Sequence, residues 1–169
     1  MTTTVQTSLD SPCGPLTLVA RDGALAGLYM TDHRHRPDLE TFGPYVAPGE
    51  LPLFADVSEQ LAAYFAGDRT TFDLRLTFAG TPFQQRVWSA LSDIPYGETV
   101  SYGELAQILG QPGASRAVGL ANGKNPISII VPCHRVIGAN GSLTGYGGGL
   151  HRKEWLLGFE RGSTQPTLV

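Results

Sequence analysis

The sequence predicts an α+β protein in two parts, a mixed α/β first half (residues 1–79) and a mainly helical second half (residues 80–169). Three observations carry this. Short runs of alternating apolar residues flank a tight-turn tripeptide near the start of the chain. Two capping-box signatures open segments of helical apolar period after residue 80. Between the two patterns the chain breaks at Ala79-Gly80.

In the first half, Leu16-Thr-Leu-Val-Ala and Ala24-Leu-Ala-Gly-Leu-Tyr-Met read as two strands, with Arg21-Asp22-Gly23 as the hairpin signal between them. Residues 31–51 mix His, Arg, Pro, Gly and acidic side chains without a period and read as a loop. Leu53, Val57, Leu61, Tyr64 and Phe65 fall near helical spacing and predict a helix that Gly67 ends. The clean alternation of Thr71-Phe-Asp-Leu-Arg-Leu-Thr-Phe78 predicts a half-buried strand.

In the second half, Thr81-Pro-Phe-Gln84 places an N-cap Thr, Pro at the first helical position and Gln at the capping-box position. Phe83, Val87, Ala90, Leu91 and Ile94 follow as one apolar face, which Pro95-Tyr-Gly97 stops. Ser101-Tyr-Gly-Glu104 opens a second helix with Leu105, Ala106, Ile108 and Leu109 inward. After the break Gly110-Gln-Pro-Gly113, residues Ala114 to Asn122 form a third helix closed by Gly123. Two short helices around a Gly/Pro turn fit a helix-turn-helix, but taken alone that signal is weak and a plain αα corner fits better. The small side chains of Ala-Ser-Arg-Ala-Val-Gly-Leu-Ala-Asn favour the former, because they let the backbone approach another surface closely.

The composition excludes several classes. Of 169 residues, 41% are apolar and 16% charged, which suits a foldable, soluble chain and neither a disordered nor a fibrous one. No run nears the roughly 18 apolar residues of a membrane helix. The start, Met-Thr-Thr-Thr-Val-Gln, lacks the basic and apolar regions of a secretory leader, so none is expected. Two cysteines, Cys13 and Cys133, are too few for a disulfide scaffold and suit a reducing cytosol. The net charge of −3 argues against a broad nucleic-acid-coating surface. Its distribution is uneven: residues 1–80 carry five basic and ten acidic side chains, residues 81–160 six and five, so a polyanion would meet the second half.

Chemistry concentrates in Asn125-Pro-Ile-Ser-Ile-Ile-Val-Pro-Cys-His-Arg-Val-Ile137. The β-branched run Ile127 to Val131 reads as a buried extended stretch delivering Pro132-Cys133-His134-Arg135 at its end. Cys133 could be a small core residue. Against that stand His134, Arg135 and Asn125, polar neighbours of a kind that lowers a thiol's pKa. In an extended chain Cys133 and His134 point to opposite sides, so proton transfer through a bridging water is favoured, with a carboxylate orienting the other ring nitrogen. A hydrolase would need an oxyanion hole and a second attack by water, and a base adjacent to its own cysteine is not the usual arrangement.

Pro132-Cys-His-Arg-Val136, with Asn125-Pro, Gly145-Tyr-Gly-Gly-Gly149 and Lys153-Glu-Trp-Leu-Leu-Gly-Phe-Glu160, strongly resembles the methylated-DNA–protein-cysteine methyltransferases, also called 6-O-alkylguanine-DNA alkyltransferases. Phe83-Gln-Gln-Arg-Val-Trp88, Ile94-Pro-Tyr-Gly-Glu98, Ser101-Tyr102 and Ser115-Arg-Ala-Val-Gly119 extend the resemblance, which is dense over residues 80–160. The first half matches mainly at Asp10-Ser-Pro-Cys-Gly-Pro-Leu16 and Tyr64-Phe65.

The resemblance implies a ribonuclease H-like α/β roll followed by a helical domain bearing a helix-turn-helix. It also implies DNA repair in a single turnover, by direct transfer of an alkyl group from the 6-oxygen of guanine to Cys133. His134 would take the thiol proton through water, Glu160 would hold that histidine, and Asn125 would order the turn carrying the cysteine. Tyr102 would donate to the leaving base. Val131, Tyr146, Gly147, Gly148 and Gly149 would shape the base pocket. The base must be flipped out of the duplex. DNA would be met in the minor groove, with Arg116 filling the space left by the base and Ser115, Ala117, Gly119, Ala121, Asn122 and Arg135 around it.

No cofactor is implied. Some relatives hold a structural zinc in the first domain, but Cys13, His33 and His35 are too few for a closed four-ligand site, so no metal is expected. Where some relatives carry Ser, this chain has Gly147, which would loosen the pocket toward larger alkyl groups. His33, His35 and His151 are assigned to loop or surface, and Gly162 to Val169 to a frayed tail. The expected partner is double-stranded DNA carrying 6-O-alkylguanine, with no membrane. The expected state is a cytoplasmic monomer, with cooperative assembly on DNA left open. The alternative is a non-catalytic protein that binds alkylated DNA; in such relatives the acceptor cysteine is replaced, and Cys133 is present.

Overall fold

Asp22 and Gly23 both hold positive φ, 51° and 81°, the pair of left-handed residues that a two-residue type I′ hairpin needs. The turn sits where the sequence predicts it and joins β2 (Leu16–Arg21) to β3 (Ala24–Met30). A strand not read from the sequence, β1 (Thr4–Leu9), pairs antiparallel with β2 and completes a three-stranded sheet in the order β1-β2-β3. The computed structural model describes residues 3–162, except His35, Gly145 and the side chain of Leu39. The assignment of His35, and the expected tail beyond Gly162, therefore lie outside the described residues.

The free edge of β3 is shared by the two halves. At one end Leu25 N donates to Arg75 O at 2.8 Å and its carbonyl accepts from Thr77 N at 2.9 Å. At the other, Leu28 N donates to Pro126 O at 2.8 Å and its carbonyl accepts from Ser128 N at 3.2 Å. The strand expected over 71–78 is thus reduced to one parallel bridge at Leu76. Its alternation survives, with Phe72, Leu74, Leu76 and Phe78 packed on the core. A longer ladder cannot form, because the rest of the edge is taken by 126–128.

The loop 31–51 contains two single 3₁₀ turns, Leu39–Phe42 and Pro48–Glu50. Phe42 stacks on Tyr29 with ring centroids 5.3 Å apart, burying the outer face of the sheet. The inner face carries α1 (Pro52–Phe65) through Phe54, Val57, Leu61 and Tyr64.

Both capping boxes form. Thr81 Oγ1 accepts from Gln84 N at 3.1 Å and opens α2 (Pro82–Leu91). Ser101 Oγ accepts from Glu104 N at 3.0 Å and opens α3 (Tyr102–Ile108), directly after the short strand β4 (Val100–Ser101). In α3, Leu105 and Ala106 are buried as expected, and Leu109 just beyond it, but Ile108 is 66% exposed. After the glycine break comes α4 (Ser115–Gly123), which packs on α2 and α3. Trp88 of α2 ties it down by donating from Nε1 to Ala121 O at 2.9 Å. The short strand β5 (Val136–Ile137) runs parallel to β4, and α5 (Leu150–Glu160) closes the described chain.

One apolar cluster runs through both halves, from Leu18, Leu28 and Leu61 to Leu91, Leu105, Val131 and Leu156. Among the described residues no helix is long and apolar enough to cross a membrane.

Candidate active site

The segment expected to be extended is instead a buried turn. Val131 N donates to Ile127 O at 3.0 Å, and Ile129 adopts a positive φ of 71°, a conformation costly for a β-branched residue. An apolar β-branched run fits a buried turn as well as a buried strand, so periodicity alone could not separate them. Asn125 holds the turn closed: its Oδ1 accepts from Ile127 N at 3.0 Å and its Nδ2 donates to Val131 O at 2.8 Å. The chain then enters a 3₁₀ turn, Cys133–Arg135, before β5. Because β5 follows this turn directly and pairs with β4, the turn is anchored to the strand that leads into Tyr102.

Around that turn lies a closed polar network. Glu160, at the end of α5, takes His134 Nε2 on Oε2 at 2.7 Å, and Arg135 on both oxygens at 2.8 and 2.9 Å. Tyr64 of α1 donates to the same Oε2 at 2.7 Å, and Gly97 N donates to Oε1 at 3.3 Å. Burial alone would raise the Glu160 pKa, but hydrogen bonds and charge from His134 and Arg135 outweigh it and hold the carboxyl well below the usual range. An ionised carboxylate only accepts, so Nε2 of His134 carries the proton and Nδ1 the lone pair. Nδ1 is buried and has no hydrogen-bond partner among the described residues. Burial pushes the His134 pKa down despite Glu160, leaving a neutral base.

Cys133 is only 2% exposed. The sequence predicts a depressed thiol pKa; the opposite holds, since burial pushes it up to about 11, with the Asn125 amide and the Lys153 ammonium pulling down without offsetting it. The resting thiol is therefore protonated and needs a base to ionise it.

Several expected positions fall elsewhere. Arg135, expected at DNA, is 5% exposed, held by Glu160 and by Ile94 O at 2.6 Å, and lies over the Tyr96 ring. Asn122 is buried and donates to Cys133 O at 3.3 Å, so it supports the cysteine turn and presents nothing to DNA. Ala121 is buried under Trp88. The outward side of α4 is Ser115, Arg116, Ala117 and Leu120, with Gly119 half-buried beside the Tyr102 ring. Tyr102 donates to Thr144 O at 2.7 Å.

Val131, Tyr146, Gly147 and Gly148 are buried and Gly149 is half-buried. Tyr146 Oη and Ser128 Oγ are buried, with no hydrogen-bond partner among the described residues. His33 is in a loop, as expected, but not at the surface: it is 8% exposed, edge-on to Tyr29, with Nε2 2.6 Å from where a Cβ on Gly147 would stand. His151 is exposed.

The sequence reading missed two residues of this network. Lys153 is fully buried and donates from Nζ to Val136 O at 2.5 Å and Thr144 O at 2.7 Å; burial lowers its pKa to about 8. Tyr64 enters from the other half of the chain. Among the described residues no group of three or more His, Cys, Asp or Glu could hold a metal ion.

A buried cysteine on a tight turn, followed directly by a carboxylate-tethered imidazole and supported by a helix of small residues, defines a protein built around one buried thiol beside an exposed helical face. Comparison with known proteins makes this specific. The family model for the 6-O-methylguanine DNA methyltransferase DNA-binding domain matches residues 82–162, and that for its ribonuclease-like domain residues 4–78. A methylated-DNA–protein-cysteine methyltransferase of Mycolicibacterium paratuberculosis is 55% identical over 163 residues, covering 96% of this chain and 95% of that protein. One from Methanosarcina acetivorans is 52% identical over 151 residues, covering 89% of this chain and 94% of that protein. The crystal structure of Mycobacterium tuberculosis OGT in complex with DNA superposes with a TM-score of 0.86 at 52% identity, covering 96% of each chain. The chain belongs to the 6-O-methylguanine DNA methyltransferase family.

Proposed function

We propose that this protein repairs DNA by moving an alkyl group from the 6-oxygen of guanine to Sγ of Cys133, once per molecule. The observation that carries the reading is the buried, neutral His134 beside Cys133, with Nε2 tied to Glu160 at 2.7 Å and an Nδ1 without a partner among the described residues. On this reading the thiol proton passes to Nδ1 through a water, and the Glu160 charge steadies the imidazolium. The thiolate attacks the alkyl carbon: an S–C bond forms, the C–O bond to the base breaks, and its electron pair stays on the guanine oxygen. Tyr102 supplies a hydroxyl to the departing base once it leaves Thr144 O. The thioether product is inert, which makes the reaction stoichiometric, and the displacement calls for no cofactor.

A damaged guanine in a duplex must be extruded to reach a cysteine this deep. The exposed side of α4 suits a minor-groove approach, with Arg116 taking the vacated space. Val131 and the run Tyr146 to Gly149 line the base pocket. Residues 1–79 act as the buttress and 80–169 as the DNA-binding and acceptor domain. Cys13 and Cys133 are both free thiols, which supports action in a reducing cytoplasm.

The test is to mix the protein with a duplex containing 6-O-methylguanine and map the adduct by mass spectrometry. One methyl per chain on the Cys133 peptide, absent in Cys133→Ala, is expected. Tight binding with no adduct would instead mean a non-catalytic reader of alkylated DNA.

A further inference from the structure

Glu160 Oε2 is a shared acceptor. It takes His134 Nε2 at 2.7 Å from one side and the phenol of Tyr64, also at 2.7 Å, from the other. Tyr64 is fully buried, lies 96 residues away in sequence, and belongs to α1 of the first half. Its ring is set edge-on to Phe65 and Tyr96 and packs against Phe72 and Phe159, so the hydroxyl has one orientation and one partner. Packing would be satisfied by phenylalanine at this position. A phenol pointed at a buried carboxylate adds a proton donor that competes with the histidine for one oxygen.

We infer that Tyr64 is a positioning residue for the alkyl transfer, setting through Glu160 how strongly His134 holds a proton, so that the first half of the chain tunes the base of the second. The inference rests on the reading of Cys133 as acceptor and His134 as base given above.

The sign follows from the geometry. A donor on Oε2 spreads the carboxylate's negative charge and weakens its pull on the imidazole proton. Without the hydroxyl, Glu160 acts on His134 with its charge less shared, and the imidazolium becomes easier to form. The other groups around the pair are Arg135 on both oxygens, Tyr96 close to Glu160 and Arg135, Gly97 N on Oε1, and Lys153 and Cys133 on the side of His134. All of them remain in Tyr64→Phe. The acid limb of the rate profile, where protonation of His134 removes the base, should therefore move to higher pH.

The experiment is single-turnover methyl transfer from duplex 6-O-methylguanine, with full-length wild type and Tyr64→Phe, across about pH 5 to 9, with thermal melting of both proteins alongside. We expect the acid limb to rise by about half a pH unit, a loss of about threefold below the limb, with rates within about twofold on the plateau. The same displacement is expected with free 6-O-benzylguanine, since the effect acts on the base and not on DNA binding. An unmoved or lowered limb overturns the inference, and a lower melting temperature with an unmoved limb assigns Tyr64 to packing alone. Failure of wild type to acquire a methyl group on Cys133 would overturn the proposed function instead, so the two failures are distinct.

Discussion

Asn125 grips Val131 across the turn that delivers the cysteine, donating from Nδ2 to the Val131 carbonyl at 2.8 Å while its Oδ1 holds Ile127 N at 3.0 Å. Between the two bonds Ile129 sits at φ 71°. Asn125→Ala would leave the buried Ile127 N unpaired and release the strained turn, while the Val131 carbonyl keeps its bond from Cys133 N at 2.8 Å. One unpaired buried group costs roughly 1–3 kcal/mol, so a loss of about that size is expected in urea denaturation. Asn125→Asp should be at least as damaging, because a carboxylate would face the Val131 carbonyl.

The Glu160 network makes stability pH-dependent in one direction. His134 has a folded pKa below its ordinary 6.5, so below that pH the unfolded chain binds the extra proton and the folded state is disfavoured. The folded Glu160 pKa is also depressed, so its contribution is complete above the ordinary 4.5 and is lost as pH falls further. The melting temperature should decline in two stages on acidification, the first below about pH 6.5 and the second below about pH 4.5. Glu160→Gln should remove the second stage and cost about 3–5 kcal/mol, because Arg135 would be left buried with an uncompensated charge.

What the sequence made legible was local. Thr81 with Gln84, and Ser101 with Glu104, are reciprocal bonds between residues three apart, and Asp22-Gly23 is a turn whose chemistry is in the dipeptide. The helix pair α3–α4 and its small-residue face followed from the same kind of signal. Contacts between distant residues were hidden. The pattern 71–78 alternates like any strand, yet its partner edge is taken by residues from the other half. Arg135 reads as a free cation beside a reactive cysteine, and only the fold brings Glu160 to it. Tyr64 and Lys153 sit in apolar-periodic segments, and their polar ends acquire meaning from carboxylate and carbonyl groups that no spacing rule relates to them.

Lys153 is the remaining charge near the thiol. It ties β5 to the loop at Thr144, and its ammonium opposes the effect of burial on Cys133. Since its pKa is lowered to about 8, the charge fades just above neutrality. The wild-type transfer rate should bend near that pH as the ammonium is lost. Lys153→Met should lack the bend and react at least about tenfold more slowly at pH 7.5, a change of ~1.4 kcal/mol in barrier. Single-turnover rates between about pH 6.5 and 9.5 would show either result.

Gly147 has no room for a side chain, because a Cβ there would stand 2.6 Å from His33 Nε2 and 3.3 Å from Gly123 O. The empty side of this glycine is therefore not an enlargement of the pocket; His33 fills it from the first half. Gly147→Ser should displace His33 and cost about 1–3 kcal/mol through overpacking. Combining it with His33→Ala should recover part of that loss, a coupling that a double-mutant cycle on melting would measure. Equal rates on methyl and benzyl guanine before and after Gly147→Ser would remove any role of this position in substrate size.

A substitution at Arg116 would test whether DNA engagement can be separated from chemistry. It is exposed on α4 beside Ser115 and Ala117, and the buried face of the same helix, through Asn122, supports the Cys133 turn. Arg116→Ala should therefore leave the thiol, His134 and Glu160 undisturbed. A duplex substrate must pay for unstacking its damaged base, whereas a free alkylated base need not. Reaction with duplex should slow by about tenfold, equivalent to ~1.4 kcal/mol, while reaction with free 6-O-benzylguanine stays within about twofold. Salt adds a second handle. One small basic surface makes few phosphate contacts, so raising the ionic strength should weaken duplex binding only modestly. Equal losses on both substrates would mean that Arg116 acts on the fold of the site and not on the flipped base.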